Sequence, residues 1–120
     1  GLEAAIDETA ARSAIPVTVY SSIPGKLPDH VEQAAYFVIS ESLVNANKHS
    51  RATTIDLITA VQDGWLYTTI TDNDMGGAST AKGHGLAGLE ERLQGVDGRL
   101  TVTSPVGGPT TIEAVIPCGS

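Results

Sequence analysis

The chain has 120 residues, which suits one domain, and 41% of them are hydrophobic. Its net charge of -7 argues against a nucleic-acid or anionic-membrane surface, because such surfaces need a basic patch. A local cluster of donors can still bind an anionic small ligand, since salt screens charges beyond about 8 Å. The single cysteine, Cys118, can form no internal disulfide.

No apolar run in the sequence approaches the roughly 20 residues of a membrane helix, and no signal peptide is visible. We therefore expect residues 1–120 to form one cytoplasmic domain that is not embedded in a membrane. The abrupt helical start suggests a fragment of a longer protein, which leaves open a membrane anchor elsewhere in that protein.

The N-terminal half alternates helix and strand. Apolar residues at helical spacing predict a helix over residues 2–13, and the alternation in VTVYS predicts a strand over 17–21. Asp29 is then predicted to cap a long helix that runs to about Lys48, because small and apolar residues recur there every three or four positions.

The C-terminal half is rich in strands. Two runs at 53–61 and 64–72 are separated by turn residues and predict a hairpin. A glycine-rich segment follows, and the remaining predicted elements are a short helix at 86–95 that Gly95 closes and two strands at 99–104 and 110–116. This order predicts an α+β fold, a two-layer sandwich whose mixed, mostly antiparallel sheet is covered on one face by about three helices.

A first polar cluster lies in ESLVNANKHS, near the end of the long helix. Glu41, Asn45 and Lys48 stand at i, i+4 and i+7, which places them on one helical face. Asn offers an oxygen ligand for Mg²⁺, Glu can orient or deprotonate a nucleophile, and Lys supplies a point charge for phosphate. The alternative is a solvated helix end with Lys near the negative end of the helix dipole.

A second cluster lies in TITDNDMGG, where a strand ends in acidic residues and glycine. The segment that begins at Asp72 resembles the start of a calcium-binding EF-hand loop. However, Gly76 occupies the fifth position, where a side-chain ligand belongs, and Gly83 occupies the twelfth, where a bidentate Glu belongs. Two interpretations stay open. One is a glycine-rich surface turn, and the other is a carboxylate, Asp72, beside backbone that can approach a ligand closely.

A third signal is GHGLAGLEER at residues 83–92, where two glycines precede a helix. Such a junction can bind an anion through exposed backbone N–H groups and the helix dipole, although it is equally typical of a loop before a helix. It is neither a Rossmann fingerprint, since no strand leads directly into it, nor a P-loop, since no G-K-[ST] follows. His84 has no second His or Cys at ligand spacing, which argues against zinc.

The order of these motifs resembles the Bergerat-fold ATPases. E-x-x-x-N on a helix, D-x-x-x-G at a strand end and G-x-G-L-x-G-x-x-E-R after a glycine-rich loop are most similar to the ATP-binding catalytic domain of bacterial sensor histidine kinases. The KH that follows the asparagine and the short loop resemble the subgroup that pairs with LuxR-type response regulators. The resemblance covers nearly the whole chain.

The resemblance implies roles at the phosphate end of a bound nucleotide. Asn45 would coordinate the Mg²⁺ that bridges the phosphates, and Glu41 would help to activate the attacking group. Lys48 and His49 would lie near the phosphates.

The resemblance also implies roles at the base end and in the lid. Asp72 would accept a hydrogen bond from the adenine amino group, and Thr110 would help a water to bridge that carboxylate to adenine. Gly76 would allow close approach to the base. The hinge of the lid and its phosphate-facing turn would consist of Gly83, Gly85 and Leu86.

Two residues depart from the family pattern. Asp74 stands where the family usually has glycine, and Pro109 stands where its final loop often has glycine. Asp tolerates left-handed backbone better than most residues, so we expect the turn at Asp74 to survive. A second carboxylate near the nucleotide adds repulsion, which makes weak nucleotide affinity an open question.

The implied function is to bind ATP–Mg²⁺ and present the γ-phosphoryl group to a histidine on a separate dimerisation domain of the same protein. A response regulator would then be a further partner, and the full-length protein would be a homodimer. None of the three histidines, at positions 30, 49 and 84, resembles the phosphoacceptor motif, so this chain alone is not expected to autophosphorylate. The alternatives are a serine kinase of the anti-sigma-factor type and a degenerate docking module without nucleotide.

Overall fold

The computed structural model describes residues 1–74 and 86–119, which form three helices and five strands. In chain order the elements are α1 (Leu2–Ala11), β1 (Val17–Ser22), α2 (Asp29–His49), β2 (Ile55–Gln62), β3 (Trp65–Asp72), α3 (Leu86–Gln94), β4 (Arg99–Thr103) and β5 (Thr110–Pro117). Every predicted element is present, and the bounds differ by at most two residues, as is usual at element ends. Of the described helices, none has the length and apolar character needed to cross a bilayer.

The five strands form one mixed sheet in the order β1-β2-β3-β5-β4. The β1–β2 pair is parallel, and the other three pairs are antiparallel. The predicted α+β fold with a mostly antiparallel sheet is therefore confirmed.

The hairpin between β2 and β3 is also confirmed. Gln62 pairs with Trp65, and the two residues between them, Asp63 and Gly64, have φ angles of 53° and 82°. Positive φ at both central residues is the requirement of the two-residue turn whose twist matches that of the flanking strands.

The direction of α2 follows from the strand pairing. Since β1 and β2 are parallel neighbours, the helix between them must run antiparallel to both, and therefore parallel to β3. The C-terminal end of α2 thus lies at the edge of the sheet that is formed by the end of β3 and the neighbouring strand ends. Because β5 is antiparallel to β3, its first residue, Thr110, lies at this edge too, opposite Asp72.

The core lies between the helices and one face of the sheet. Burial alternates along β2 and β3, and α2 contributes the largest helical share of the core. Fully buried side chains include Val31, Val38, Ile39, Leu57 and Leu66. Burying a side chain of this size stabilises a fold by about 1.5–3 kcal/mol, so the stripe that was read from the sequence of α2 is what anchors this helix to the sheet.

The prediction that Asp29 caps α2 is wrong. Pro28 is the N-cap residue, with an extended backbone (φ -54°, ψ 143°), and its carbonyl accepts the first helical N–H bonds. Asp29 is the first helical residue, and its carboxylate accepts a hydrogen bond from Lys26 Nζ at 2.8 Å. Proline suits this position because its fixed φ and missing N–H cost nothing where the helix begins.

Candidate functional site

The edge of the sheet at which β3 ends brings together several of the residues that the sequence singled out. It contains the end of β3 with Asp72, the start of β5 with Thr110 and the C-terminal turns of α2. The first residue of α3, Leu86, belongs to the same edge, because α3 leads through a short turn into β4, which starts at the opposite edge. Four stretches far apart in sequence thus meet at one end of the sandwich.

Asp72 is the carboxylate at the centre of this edge. Only 8% of its surface is exposed, and its Oδ1 accepts a hydrogen bond from the backbone N–H of Asp74 at 3.0 Å. Burial raises the pKa of Asp72 above its usual value, the Asp74 N–H opposes that rise, and the negative charge of Asp74 adds to it. A carboxylate buried in this way is stabilised by a ligand that donates a hydrogen bond.

Two hydroxyl groups lie on the neighbouring strand. Thr110 is paired with Asp72 across the β3–β5 ladder and is 6% exposed. Its Oγ1 and Ser104 Oγ are 2.7 Å apart and share a hydrogen bond. Hydroxyl groups both donate and accept, so this pair can hold a water beside the carboxylate. Ser104 was not identified from the sequence, because nothing in its local pattern distinguishes it from an ordinary loop serine.

The predicted site residues become more exposed to solvent toward the C-terminal end of α2. Glu41 and Asn45 are both half-buried, whereas Lys48 and His49 are exposed. Lys48 also lines a groove of about 390 Å³ between α1 and α2, together with Arg12 and Val44. The helical spacing that put Glu41, Asn45 and Lys48 on one face therefore holds for the first two, while Lys48 reaches the outer surface.

Several predicted positions lie outside the described residues. Gly76, Gly83 and Gly85 belong to segment 75–85, so their predicted roles in the base pocket and the lid stay predictions. Leu86, the last residue of the predicted lid turn, is described, and it is buried at the start of α3 with 2% of its surface exposed.

Asp74 does not adopt the left-handed backbone conformation that the sequence analysis considered for it. Among the described non-glycine residues, those with positive φ are Asp63 and Asp97, so the chain passes through Asp74 without left-handed geometry. Its carboxylate Oδ1 accepts the backbone N–H of Arg51 at 3.4 Å. An aspartate therefore replaces the family's glycine here without backbone strain.

Asn73, between the two aspartates, was missed by the sequence interpretation. Its Oδ1 accepts the backbone N–H groups of Thr53 and Thr54, at 2.8 and 3.2 Å, and its Nδ2 donates to Thr53 Oγ1 at 2.8 Å. These bonds explain why β2 begins at Ile55, two residues later than predicted. Asparagine beside a strand end is typical of such side-chain contacts to backbone, which is the signal that could have revealed it.

The C-terminal turns of α2 offer an amide and a carboxylate, Asn45 and Glu41, as candidate oxygen ligands for a hard cation. Within the described ranges, no three His, Cys, Asp or Glu residues lie close enough together to hold a metal ion. Mg²⁺ usually takes one or two oxygen ligands from protein and the rest from substrate phosphates and water. One amide oxygen from Asn45, with the Glu41 carboxylate one turn away, matches that pattern.

Comparison with known proteins gave consistent matches, although no family model matches the chain. The histidine-protein kinase/phosphatase DegS of Brevibacillus brevis is 32% identical over 95 residues, which are 77% of this chain and 25% of DegS. The nitrate/nitrite sensor protein NarX of Escherichia coli is 29% identical over 115 residues, which are 92% of this chain and 19% of NarX. The chain thus spans about a quarter or less of these two relatives.

Solved structures agree with these matches. The blue-light activated histidine kinase EL346 of Erythrobacter litoralis superposes with a TM-score of 0.77 at 26% identity, over 98% of this chain and 39% of that chain. Sequence and fold together show that this chain is homologous to the catalytic domains of sensor histidine kinases.

Proposed function

We propose that the chain binds ATP–Mg²⁺ and presents its γ-phosphoryl group to a histidine on a separate dimerisation domain of the same protein. The observation that carries the proposal is the position of the buried Asp72 carboxylate, at the sheet edge where the helix with Glu41 and Asn45 ends. A base-reading acid and a metal-binding amide on one edge suit the two ends of a single nucleotide.

The base end of the proposed site is selective for adenine. Asp72 Oδ1 already accepts the Asp74 N–H, so Oδ2 is the oxygen that would accept the exocyclic amine of adenine. Guanine has a carbonyl oxygen at the corresponding position, which would face the carboxylate with no proton between them. A site that depends on such a hydrogen bond can discriminate by roughly 10⁴ or more. A water held by Thr110 and Ser104 would complete the contacts to the base.

The phosphate end needs positive charge in a chain whose net charge is -7. Mg²⁺ held by Asn45 would supply most of it, Lys48 would add to it from the last turn of α2, and His49 would offer a ring nitrogen as a hydrogen-bonding group. The N-terminus of α3 would contribute its first backbone N–H groups, and the first turn of that nine-residue helix has no acidic residue to oppose an anion.

The transfer step breaks the bond between the γ-phosphorus and the bridging oxygen of ADP and forms a bond from phosphorus to an imidazole nitrogen. Catalysis of this kind consists mainly of positioning and charge stabilisation. Glu41, one helical turn from Asn45, would orient the attacking imidazole and accept its proton. The product would be a phosphohistidine from which a response regulator takes the phosphoryl group, within a full-length protein that we propose to be a homodimer.

We infer that the acceptor histidine comes from outside this chain, because none of its three histidines resembles the phosphoacceptor motif. His30 lies in the first turn of α2, fifteen residues before Asn45, which is about 22 Å along a helix. We therefore expect no autophosphorylation of the isolated chain, and phosphorylation only when a histidine-bearing helical domain is supplied. Transfer to a serine-bearing partner instead would favour a kinase of the anti-sigma-factor type.

Calorimetric titration of Asn45→Ala with ATP tests the proposal. Removing the metal ligand should abolish the Mg²⁺-dependent part of ATP binding while the circular dichroism spectrum keeps its folded form, because Asn45 lies outside the core. GTP titrated into the unchanged chain is the matched control, and it should bind at least 100-fold more weakly than ATP. Absence of ATP binding to the unchanged chain would instead support a docking module without nucleotide.

A further inference from the structure

The connection between α2 and β2 has no regular structure, yet each of its five backbone N–H groups has an acceptor. Because this connection is part of no helix or strand, its conformation depends on these acceptors keeping their positions. The five donors and their acceptors are Ser50 with Ala46 O, Arg51 with Asp74 Oδ1, Ala52 with Ser50 Oγ, and Thr53 and Thr54 with Asn73 Oδ1. Three of the five N–H groups therefore donate to side-chain oxygens of the two residues that follow Asp72.

Asn73 accepts more of these N–H groups than any other residue. Its side chain makes two bonds to backbone N–H groups and a third to the hydroxyl of Thr53, at 2.8 to 3.2 Å. Its own backbone N–H donates to Thr54 O at 3.4 Å, which extends the β2–β3 pairing by one step. One asparagine thus joins the end of β3 to the segment that precedes β2.

The same contacts connect the two halves of the proposed nucleotide site. On one side, the connection starts directly after His49, at the end of the helix that carries Glu41 and Asn45. On the other side, Asn73 is the residue after Asp72, and the next residue, Asp74, donates its N–H to the Asp72 carboxylate. The direction of that carboxylate is therefore set by a backbone that Asn73 holds.

We propose that Asn73 is a positioning residue that holds the Asp72 carboxylate at a fixed place relative to the C-terminal end of α2. This inference rests on the proposed function, since the two halves matter together only if one nucleotide spans them. Asn73 would act through Asp72 and through the α2–β2 connection, without contacting the nucleotide.

The chain offers a matched control for a general loss of stability. Asn47 makes four hydrogen bonds with its side chain, two to the backbone N–H groups of Ala14 and Ile15, one to Ser13 Oγ and one to Leu43 O, at 2.8 to 3.2 Å. It ties the segment before β1 to α2, and none of these four bonds involves Asp72 or the α2–β2 connection. Asn47→Ala should therefore lower stability by an amount similar to Asn73→Ala.

The experiment compares the unchanged chain with Asn73→Ala, Asn73→Asp and Asn47→Ala. The spectroscopic readout is the amide proton of Asp74 in nucleotide-free, ¹⁵N-labelled protein, because its shift reports the hydrogen bond to Asp72. We expect Asn73→Ala to lose that shift and to bind ATP–Mg²⁺ about tenfold more weakly. Asn47→Ala should keep the shift and bind within twofold of the unchanged chain.

Asn73→Asp tests rescue. An aspartate keeps an oxygen for the N–H groups of Thr53 and Thr54 and can also accept from the Thr53 hydroxyl, so the Asp74 shift should return. The inference is overturned if Asn73→Ala keeps the shift, if Asn73→Asp fails to restore it, or if the two alanine variants lose affinity equally. If the unchanged chain binds no ATP, the proposed function fails, and the amide signal still decides whether Asn73 positions Asp72.

Discussion

At the scale of single residues, the buried Asp72 carboxylate lowers the stability of the fold when it is ionised, and it is also the proposed acceptor for a ligand. Its pKa is raised in the folded chain, mainly by burial, so the folded state binds more protons than the unfolded state between the two pKa values. The stability of the chain therefore falls as pH rises from the unfolded value near 3.8 through the raised folded pKa. Above that window the carboxylate is ionised and is ready to accept a donor from a ligand.

Replacing this acid should have opposite effects on stability and binding. Asp72→Asn keeps an oxygen for the Asp74 N–H and removes the buried charge, so urea unfolding at pH 7 should show a more stable nucleotide-free chain. ATP affinity should fall by roughly 10- to 100-fold, since a hydrogen bond to a charged group contributes about 1.5–3 kcal/mol. A variant that bound ATP normally would contradict the role of Asp72.

The affinity of the unchanged chain for ATP should depend on pH in the same way. As pH falls through the raised pKa of Asp72, the carboxyl takes up a proton and becomes a weaker hydrogen-bond acceptor, so ATP binding should weaken. In Asp72→Asn this weakening should be absent. Titration calorimetry from pH 8 down to the acid limit of folding measures both profiles.

Another residue-scale test concerns Thr68, which is fully buried in β3. Its Oγ1 has no hydrogen-bond partner among the residues that the structure describes. Thr68→Val replaces the hydroxyl by a methyl group of similar size and should raise the free energy of unfolding by about 1–2 kcal/mol. A lower free energy of unfolding in urea would show that this hydroxyl has a partner in solution.

At the scale of elements, the sequence predicted the identity of every helix and strand and missed the contacts that set their ends. Periodicity reports which face of an element is buried, and this is why α2, β2 and β3 were found. The start of β2 depends on Asn73, a residue far away in sequence, and the start of α2 depends on Pro28. A local pattern can mark Asn73 as a side chain that contacts backbone, but it does not identify the distant backbone groups that it contacts.

The same limit applies to the candidate site. The motifs predicted that Asp72, Thr110 and the end of α2 belong together, and the strand pairing places them at one sheet edge. Two features depend on packing between elements, which spacing within one element does not encode. One is the position of Lys48 at the outer surface, and the other is the hydrogen bond between the Thr110 and Ser104 hydroxyl groups.

The glycines of α3 and its following turn permit a paired test at this scale. Gly88 is exposed within α3, and a Cβ there would meet no atom within 4 Å, so Gly88→Ala should stabilise the chain by up to about 1 kcal/mol. At Gly98 a Cβ would lie 3.1 Å from Val115 O and 3.3 Å from Leu93 O. Gly98→Ala should therefore destabilise the chain, and equal effects in thermal unfolding would contradict this account.

At the scale of the whole molecule, one hydrophobic core joins all three helices to the sheet. A chain with a single core usually unfolds in one cooperative step. Denaturant unfolding followed by the fluorescence of Trp65 and by far-ultraviolet circular dichroism should therefore give the same midpoint. Separate midpoints would show that part of the sandwich unfolds independently.

The position of the β2–β3 hairpin has a practical consequence for assays. The turn at Asp63 and Gly64 lies at the far end of β3 from Asp72, and Gly64 is eight residues or about 26 Å away from it. A dye or a surface tether attached at this turn would leave the nucleotide edge unobstructed. The single tryptophan, Trp65, sits at the same remote end, so its emission will be a poor direct reporter of ligand occupancy, and a labelled nucleotide is the better choice for equilibrium titrations.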